Sequence, residues 1–381
     1  MAFGGDTVLS LGQNPSKETS DKPAPIQFSY QAIDFKLDNS ETPERHAPET
    51  MAGGAAVFDY NNDGRLDIYF TNGADIRSLK KDSPRYYNRL FENDGKGHFV
   101  DVTEKAGLWG TGYDDAVAVG DYDNDGYEDV FVGGVYHNTL YHNNGNGTFT
   151  DVSERAGLNK SDPEFGPLWA IGGIWLDVNE DGLLDLLVIN YLKWDPAHEP
   201  VCEGYGHRDY CHPKMYKPTP NQLFLNLGNG KFKDVSAEWG LRAHPGKGMG
   251  AAGFESDHNG RMDVFVTNDK EVNYLFHNTG RKFDEVGFRA GVSLREDGIF
   301  ISGMGTDARD LDNDGFADIV LVALDGETFP IYRNDGKGGF TDATESSGMA
   351  RLSLVMGGYS SNIADFDNDR WKDIFVSRGH V

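Results

Sequence analysis

Cysteine is nearly absent from this chain. Two residues in 381 cannot build a disulfide scaffold. No run of ~18 apolar residues occurs, so no helical segment spans a bilayer. Positive charge is also scarce: 35 Lys and Arg face 61 Asp and Glu, for a formal net charge of −26. Such a chain lacks the basic face that nucleic acid requires, and anionic membrane surfaces repel it. The opening residues Met1 to Ser20 are polar and have no apolar h-region, so no leader is visible. No 3.6-residue hydrophobic period persists, which argues against a helical fold. The G-x-S-x-G, Walker and H-E-x-x-H signatures do not occur, nor does a nucleotide fingerprint. The many Gly-x-Gly pairs fall in repeated turns.

What is present is a repeat. A nine-residue pattern, D-x-D/N-x-D/N-G-x-x-D, occurs six times, starting at Asp59, Asp121, Asp177, Glu255, Asp310 and Asp365. The starts are 62, 56, 78, 55 and 55 residues apart, and the long interval carries an insertion at about 191–220. Between copies lies a second pattern, an N-x-G-x-G turn followed by Phe and D-V-T/S, as in Leu90–Leu108, Leu140–Leu158 and Leu223–Leu241. Each unit reads as four short strands. Strand a is small and apolar, and the acidic loop leads into strand b. Strand c precedes the glycine turn, and strand d carries the Phe. Four antiparallel strands per 50–60 residues predict an all-β fold, a β-propeller of six blades, or seven if the family fold continues beyond this chain. Residues 1–25 read as a disordered or extended segment, and 26–381 as one domain. Ile26–Tyr30 reads as a lone strand d that would pair with the sixth unit and close the ring.

The acidic loops have the donors that Ca2+ takes, six to eight oxygens. Positions 1, 3, 5 and 9 offer side-chain oxygen and position 7 a carbonyl. The six expected sites are Asp59, Asn61, Asp63, Arg65 and Asp67; Asp121, Asp123, Asp125, Tyr127 and Asp129; Asp177, Asn179, Asp181, Leu183 and Asp185; Glu255, Asp257, Asn259, Arg261 and Asp263; Asp310, Asp312, Asp314, Phe316 and Asp318; and Asp365, Asp367, Asp369, Trp371 and Asp373. An EF-hand is excluded, because position 12 is Phe70, Val132, Val188, Val266, Leu321 or Val376 rather than Glu. An ion-free Asp/Asn/Gly turn is the plainer alternative for any one copy. It fails for the second and fifth, where four carboxylates would repel one another. The fourth loop has Glu255 and Asn259 in place of Asp, and the sixth has Arg370 in place of glycine. Twenty-one of the chain's carboxylates sit at these ligand positions, so the acidity is mostly site chemistry rather than a salt-adapted coat. The ions would be structural, since each loop supplies nearly all their oxygens.

Strand alternation places the acidic loops and glycine turns on one face, with the b–c and d–a connections on the other. Met51, Tyr113, Trp169, Met249, Met304 and Tyr359 should ring the channel mouth there. The insertion adds Trp194, His198, Glu203, His207 and His212 to that face. Packing or solvation is the commoner role for any one of them, but as a set they mark the candidate ligand surface. An enzyme reading would draw on Asp114, Asp115, His137, Lys247, Asp307 and Arg309 as acid–base candidates for a lyase, cyclase or hydrolase reaction. Cys202 and Cys211 have eight residues between them. They could form a disulfide, which implies an oxidising compartment. They could also bind zinc with His207 and His212 in a spacing that matches no common module, or stay free.

The alternation of the two motifs resembles FG-GAP/VCBS repeats, as found in integrin α-subunit propellers. Pro48–Asp59, Asp209–Pro213 and Ser377–Val381 are similar to landmarks of the cartilage acidic protein (ASPIC/UnbV) family. The resemblance implies an extracytoplasmic, calcium-stabilised propeller, usually seven-bladed, continuing into another repeat and a C-terminal ASPIC/UnbV domain. These observations lead to a secreted, monomeric module that recognises a protein or glycan on the face opposite the calcium loops. The alternatives are an enzyme at the channel mouth and a structural part of a larger assembly.

Overall fold

The computed structural model describes residues 26–51, 53–204, 206–355 and 357–379. The expected tail at 1–25 and the last two residues of the Ser377–Val381 landmark lie outside the described residues. Five four-stranded antiparallel sheets follow one another along the chain, each in the spatial order a-b-c-d. The first comprises Ala55–Phe58, Asp67–Phe70, Arg89–Asn93 and Phe99–Asp101. The second comprises Asp114–Gly120, Asp129–Gly134, His137–Asn143 and Phe149–Asp151. In the third, Ala170–Leu176 and Asp185–Asn190 precede the insertion, while Gln222–Asn226 and Phe232–Asp234 follow it. The fourth runs through Gly248–Phe254, Asp263–Asn268, Tyr274–Asn278 and Phe283–Glu285. Thr306–Arg309, Asp318–Leu321, Ile331–Asn334 and Phe340–Asp342 form the fifth. The sixth sheet has two strands, Gly358–Ala364 and Asp373–Arg378. Among the described residues no helix exceeds five residues, and none is long and apolar enough to cross a membrane.

Strand a is innermost in every blade. The six a strands line one channel of about 650 Å³, to which Gly54, Val117, Gly173, Gly250, Gly305 and Ser360 contribute. Small residues are required because backbone meets backbone there. A Cβ on Gly250 would stand 2.8 Å from the Met304 carbonyl oxygen, and one on Gly305 2.7 Å from that of Tyr359. Strand b of the second to fifth blades is buried on both faces, so Leu186–Ile189 and Val264–Val266 read as unbroken apolar runs. Neighbouring blades share cores: Phe131 and Leu140 of the second pack with Leu186 and Phe224 of the third.

The D-V-T/S motif fastens strand d to strand c. Asp151 Oδ1 accepts from Ser153 N (2.9 Å), and Ser153 Oγ accepts from Leu140 N (2.9 Å). Asp234, Ser236 and Leu223 repeat this arrangement in the third blade, and Asp342, Thr344 and Ile331 in the fifth. From the second blade to the fifth, the Asn that opens the glycine turn joins blades. Asn226 Nδ2 donates to Leu184 O (3.0 Å) in its own blade and to Tyr122 O (2.7 Å) in the preceding one. Asn143, Asn278 and Asn334 make the equivalent pairs. Replacing Asn226 with Ala should destabilise the protein by about 2–4 kcal/mol, because two carbonyls lose their donor. Urea denaturation reads this, and a change under ~0.5 kcal/mol would remove the latch from the stability account.

Two sequence expectations need correction. Ile26–Tyr30 forms no strand and makes no ladder with the sixth sheet. A strand d pairs with a strand c, and the sixth sheet has none to offer. The segment instead lies along the boundary of the last and first blades. There Phe28 is 5.8 Å from Phe375 between ring centroids, and Phe35 stacks on Phe70 at 4.6 Å. The insertion has short ladders of its own, and it decides against zinc at the cysteines. Leu192–Lys193 pairs with Lys217–Pro218, and Cys202–Gly204 pairs with His207–Asp209. The two cysteines are joined in a disulfide with their Cα atoms 5.2 Å apart, so neither thiolate is available to zinc.

Candidate functional site

Each acidic loop is organised by the carboxylate at position 1. Asp59 Oδ1 accepts from Asp63 N (3.0 Å) and its Oδ2 from Gly64 N (2.7 Å). Asp121, Asp177, Asp310 and Asp365 repeat the pair at 2.8 to 3.1 Å. Glu255, one methylene longer, keeps the bond from Gly260 N (2.5 Å). Position 4 is left-handed in every copy, and so is position 6, including Arg370 at φ 77° where the other loops have glycine. The carboxylate at position 9 is buried and held by backbone. Asp129 Oδ1 accepts from Asn143 N (2.8 Å) and Oδ2 from Tyr122 N (3.2 Å), and Asp67, Asp185, Asp263 and Asp318 do likewise.

These loops converge negative charge. Carboxylate oxygens of Asp121, Asp123 and Asp125 lie within 4.8 Å of one another, as do those of Asp310, Asp312 and Asp314, and of Asp365, Asp367 and Asp373. Burial pushes the Asp129 carboxyl up to about 8, and the charge of Asp123 adds to it. Burial likewise raises Asp67 and Asp185 to about 6, helped by the other acids of their loops. A carboxylate has about four lone-pair sites, so the bonds above leave each one acceptor capacity. A hard divalent cation matches that donor set. The first loop differs in that the Arg65 guanidinium pairs with Asp63 and donates to Asn93 O (2.7 Å). In the fifth, Arg333 from strand c stands 2.5 Å from Asp312 Oδ2 and 3.0 Å from Asp318 Oδ2.

Successive loops also touch. Asn62 Nδ2 donates to Gly126 O (2.8 Å), Asn124 Nδ2 to Gly182 O (3.1 Å) and Asn313 Nδ2 to Arg370 O (3.0 Å). His258 Nε2 is 3.1 Å from Gly315 O. Between the third and fourth loops an Arg261–Glu180 ion pair (3.6 Å) takes this place.

The opposite face is more closed than its sequence implied. Tyr113, Asp114, Asp115, Trp169, Lys247 and Met304 are buried, whereas Met51, Met249 and Tyr359 remain partly accessible. Much of the covering is the insertion, whose Trp194 stacks on Tyr136 with centroids 5.7 Å apart. His198, Glu203 and His207 are exposed on it.

The six acid–base candidates fall on three blades. Asp114 and His137 do meet, with Nε2 2.6 Å from Oδ1. Lys81, which sequence reasoning missed, stands 3.3 Å from Asp114 Oδ2, and Asn88 Nδ2 donates to that oxygen (2.8 Å). The Lys81 ammonium also donates to the carbonyls of Asn72, Gly73 and Tyr86 at 2.6, 2.7 and 2.8 Å. Burial opposes charge on Asp114, but Lys81 and His137 outweigh it and hold the carboxyl below its usual range. Burial also opposes charge on His137, yet the bond to Asp114 keeps its pKa raised. Nδ1 faces Val135 O (3.1 Å), so both ring nitrogens meet acceptors and the ring is held as an imidazolium. Burial pushes Asp115 far up, against the bond from Trp169 Nε1 (2.6 Å). Lys247 is paired with Glu271 (2.9 Å). Asp307 accepts from Ile363 N (2.8 Å), and Arg309 directly precedes the fifth acidic loop, at the other end of its strand.

A cavity of about 1020 Å³ opens on the b–c and d–a side of the first blade, lined by Pro84, Tyr87, Arg89, Asp101, Lys105 and Trp109. Trp109 is 44% exposed, and the Arg89 guanidinium lies 5.6 Å from the Tyr87 ring centroid. Its b–c residues have no repeated motif, while the Asp101–Thr103 stretch that completes it recurs in other blades, so nothing in the sequence set this blade apart.

Comparison with known proteins gives a consistent picture. The FG-GAP-like repeat model matches residues 59–132, 121–188, 256–321 and 310–376. Cartilage acidic protein 1 of Xenopus tropicalis is 31% identical over 159 residues, 40% of this chain and 23% of that protein. Integrin alpha-4 of Xenopus laevis is 24% identical over 178 residues, 43% of this chain and 16% of its own length. The matches thus span about a quarter or less of these relatives. Among solved structures, rhamnogalacturonan lyase YesW aligns at a TM-score of 0.43 and 13% identity, covering 86% of this chain and 55% of that one.

Proposed function

The chain belongs to the FG-GAP-like repeat family, and from that premise we propose that it is an extracytoplasmic, calcium-stabilised recognition module. It takes a protein or glycan on the face opposite the acidic loops. The observation that carries this reading is the division of labour between the faces. One face repeats the same carboxylate loop around the ring, while the other holds the variable b–c connections and the open cavity beside Trp109. Half-exposed tryptophan, tyrosine and arginine are the residue types that dominate recognition surfaces. The Cys202–Cys211 disulfide supports an oxidising compartment.

Ca2+ would be held by the oxygen-bearing side chains at positions 1, 3, 5 and 9 of the six loops, with the carbonyl at position 7. Bound there, it neutralises the converging carboxylates and fixes the a–b hairpins. The loops themselves orient the donors through the bonds from positions 5 and 6 to position 1.

Glycan and extracellular-protein arrays probed in calcium provide the test. The native protein should bind at least one ligand class, and Trp109→Ala should weaken that binding by roughly tenfold or more at an unchanged melting temperature. No ligand on either array, or full binding by the variant, would overturn the assignment of this face. A second outcome concerns the fifth loop. Arg333→Leu should raise its calcium affinity by up to roughly tenfold. A unit charge ~4 Å from the ion opposes it by a few kcal/mol, while a partly exposed guanidinium can swing aside. Isothermal titration reads the change, and equal affinities would show that Arg333 does not compete.

A further inference from the structure

One position on strand c, immediately before the Asn latch, changes from blade to blade: Glu92, His142, Leu225, His277 and Arg333. In the second blade His142 Nδ1 is 3.4 Å from Asp123 Oδ2 and 3.3 Å from Asp129 Oδ1. That nitrogen is buried and makes no hydrogen bond to either oxygen. In the fourth blade His277 Nδ1 is 3.9 Å from Asp257 Oδ2 and 3.3 Å from Asp263 Oδ1. Each histidine and its two carboxylates bring three ligand atoms within 4.8 Å of one another. The same loop positions, 3 and 9, are used both times.

Nitrogen changes which cation such a site prefers. Ca2+ takes oxygen ligands, whereas imidazole suits zinc and its transition-metal neighbours. Ligand atoms around a tetrahedral ion with ~2.0–2.1 Å bonds are about 3.3–3.4 Å apart, which matches three of the four His–Asp separations. The fourth loop has three carboxylates and Asn259 at position 5, so histidine adds a donor where the loop has an amide in place of a fourth carboxylate. Leu225 offers the third loop nothing, and Arg333 brings its own charge to the fifth. The second and fourth loops are therefore set apart by a residue outside the nine-residue motif.

We infer that Asp123, Asp129 and His142, and likewise Asp257, Asp263 and His277, form two mixed carboxylate–imidazole sites at which a transition-metal dication of the zinc class displaces the calcium assigned to these loops above, while the remaining loops keep all-oxygen chemistry. This rests on the reading of the acidic loops as cation sites.

Zinc titration by calorimetry, with saturating calcium present, tests it on the whole chain. Two equivalents of Zn2+ should bind. His142→Leu and His277→Leu should each remove one equivalent, and the double variant should remove both. Leucine is the residue that the third blade already carries at this position. Cobalt substitution gives an independent readout, as d–d absorption that is lost with the same substitutions. Zinc retained by the double variant would place it on other side chains such as His198 or His207 and overturn the inference. So would no zinc binding while metal analysis finds calcium in the protein, an outcome that leaves the cation loops standing. Neither metal bound under any condition would overturn both readings.

Discussion

Chelation with EGTA is expected to lower the melting temperature by about 20 °C or more. An ion that binds only the folded state adds ~2.7 kcal/mol when present at 100 times its dissociation constant, and several loops contribute. In a propeller of this size each kcal/mol is worth about 2 °C or somewhat less. The effect should be large because the carboxylates at position 9 of the first five loops are fully buried. Without a cation they must either stay protonated or face their neighbours' charge, as the raised pKa of Asp129 indicates. Readdition of calcium should restore the transition, and magnesium should restore it less, because it demands a tighter octahedron. The same melting curve with and without EGTA, in a protein that contains no calcium as isolated, would end the calcium reading.

Replacing Asp114 with Asn should cost about 3–5 kcal/mol, the usual effect of leaving a buried charge without its partner. Lys81 would keep its three carbonyl bonds but lose the only carboxylate 3.3 Å away, and His137 would lose the group that keeps it charged. Adding Lys81→Met should deepen the loss rather than recover it, because the carbonyls of Asn72, Gly73 and Tyr86 would then lose their donor as well. The pH dependence has a definite sign. Asp114 has a lowered pKa, so its contribution is present above ~3.9 and lost as pH falls through the folded value. His137 has a raised pKa, so its contribution is full below ~6.5 and lost as pH rises through the folded value. The network should stabilise most between about pH 4 and 6.5, and Asp114→Asn should flatten both flanks of that window. Equal chevron-derived stabilities for the two proteins across this range would show that the network is dispensable.

The loops and blades were legible in the sequence for local reasons. Asp at position 1, glycine at 6 and Asp at 9 specify a turn through bonds spanning a few residues, so the motif carries its own geometry. The two strands of the sixth blade and the left-handed Arg370 follow from the same motif. Long-range partners were not legible. Asn226 sits in a recognisable turn, but its bond to Tyr122 O crosses 104 residues. Lys81 looks like any basic loop residue until the fold brings it to Asp114. Trp169 and Tyr113 are aromatic residues at a predicted rim, and the paths of the insertion and of the segment around Asn39–Pro48 turn them into core. The segment at Ile26–Tyr30 alternates like a strand, yet a strand d takes its ladder from a strand c, and the described residues of the sixth sheet provide strands a and b alone.

The bonds between acidic loops run forward along the chain, from Asn62 to the second loop and from Asn313 to the sixth, while the Asn latches run backward, from Asn226 to the second blade. From the second blade to the fifth, each therefore presents similar chemistry to the neighbour before it and the neighbour after it. Gene duplication or excision of one whole repeat would leave matching ends that can reseal, because the new neighbours offer the same carbonyls and amides. An insertion or deletion inside a repeat would break both sets of bonds at once. Blade number is thus the dimension along which this architecture can drift cheaply, and the length of a single blade is the one it must conserve.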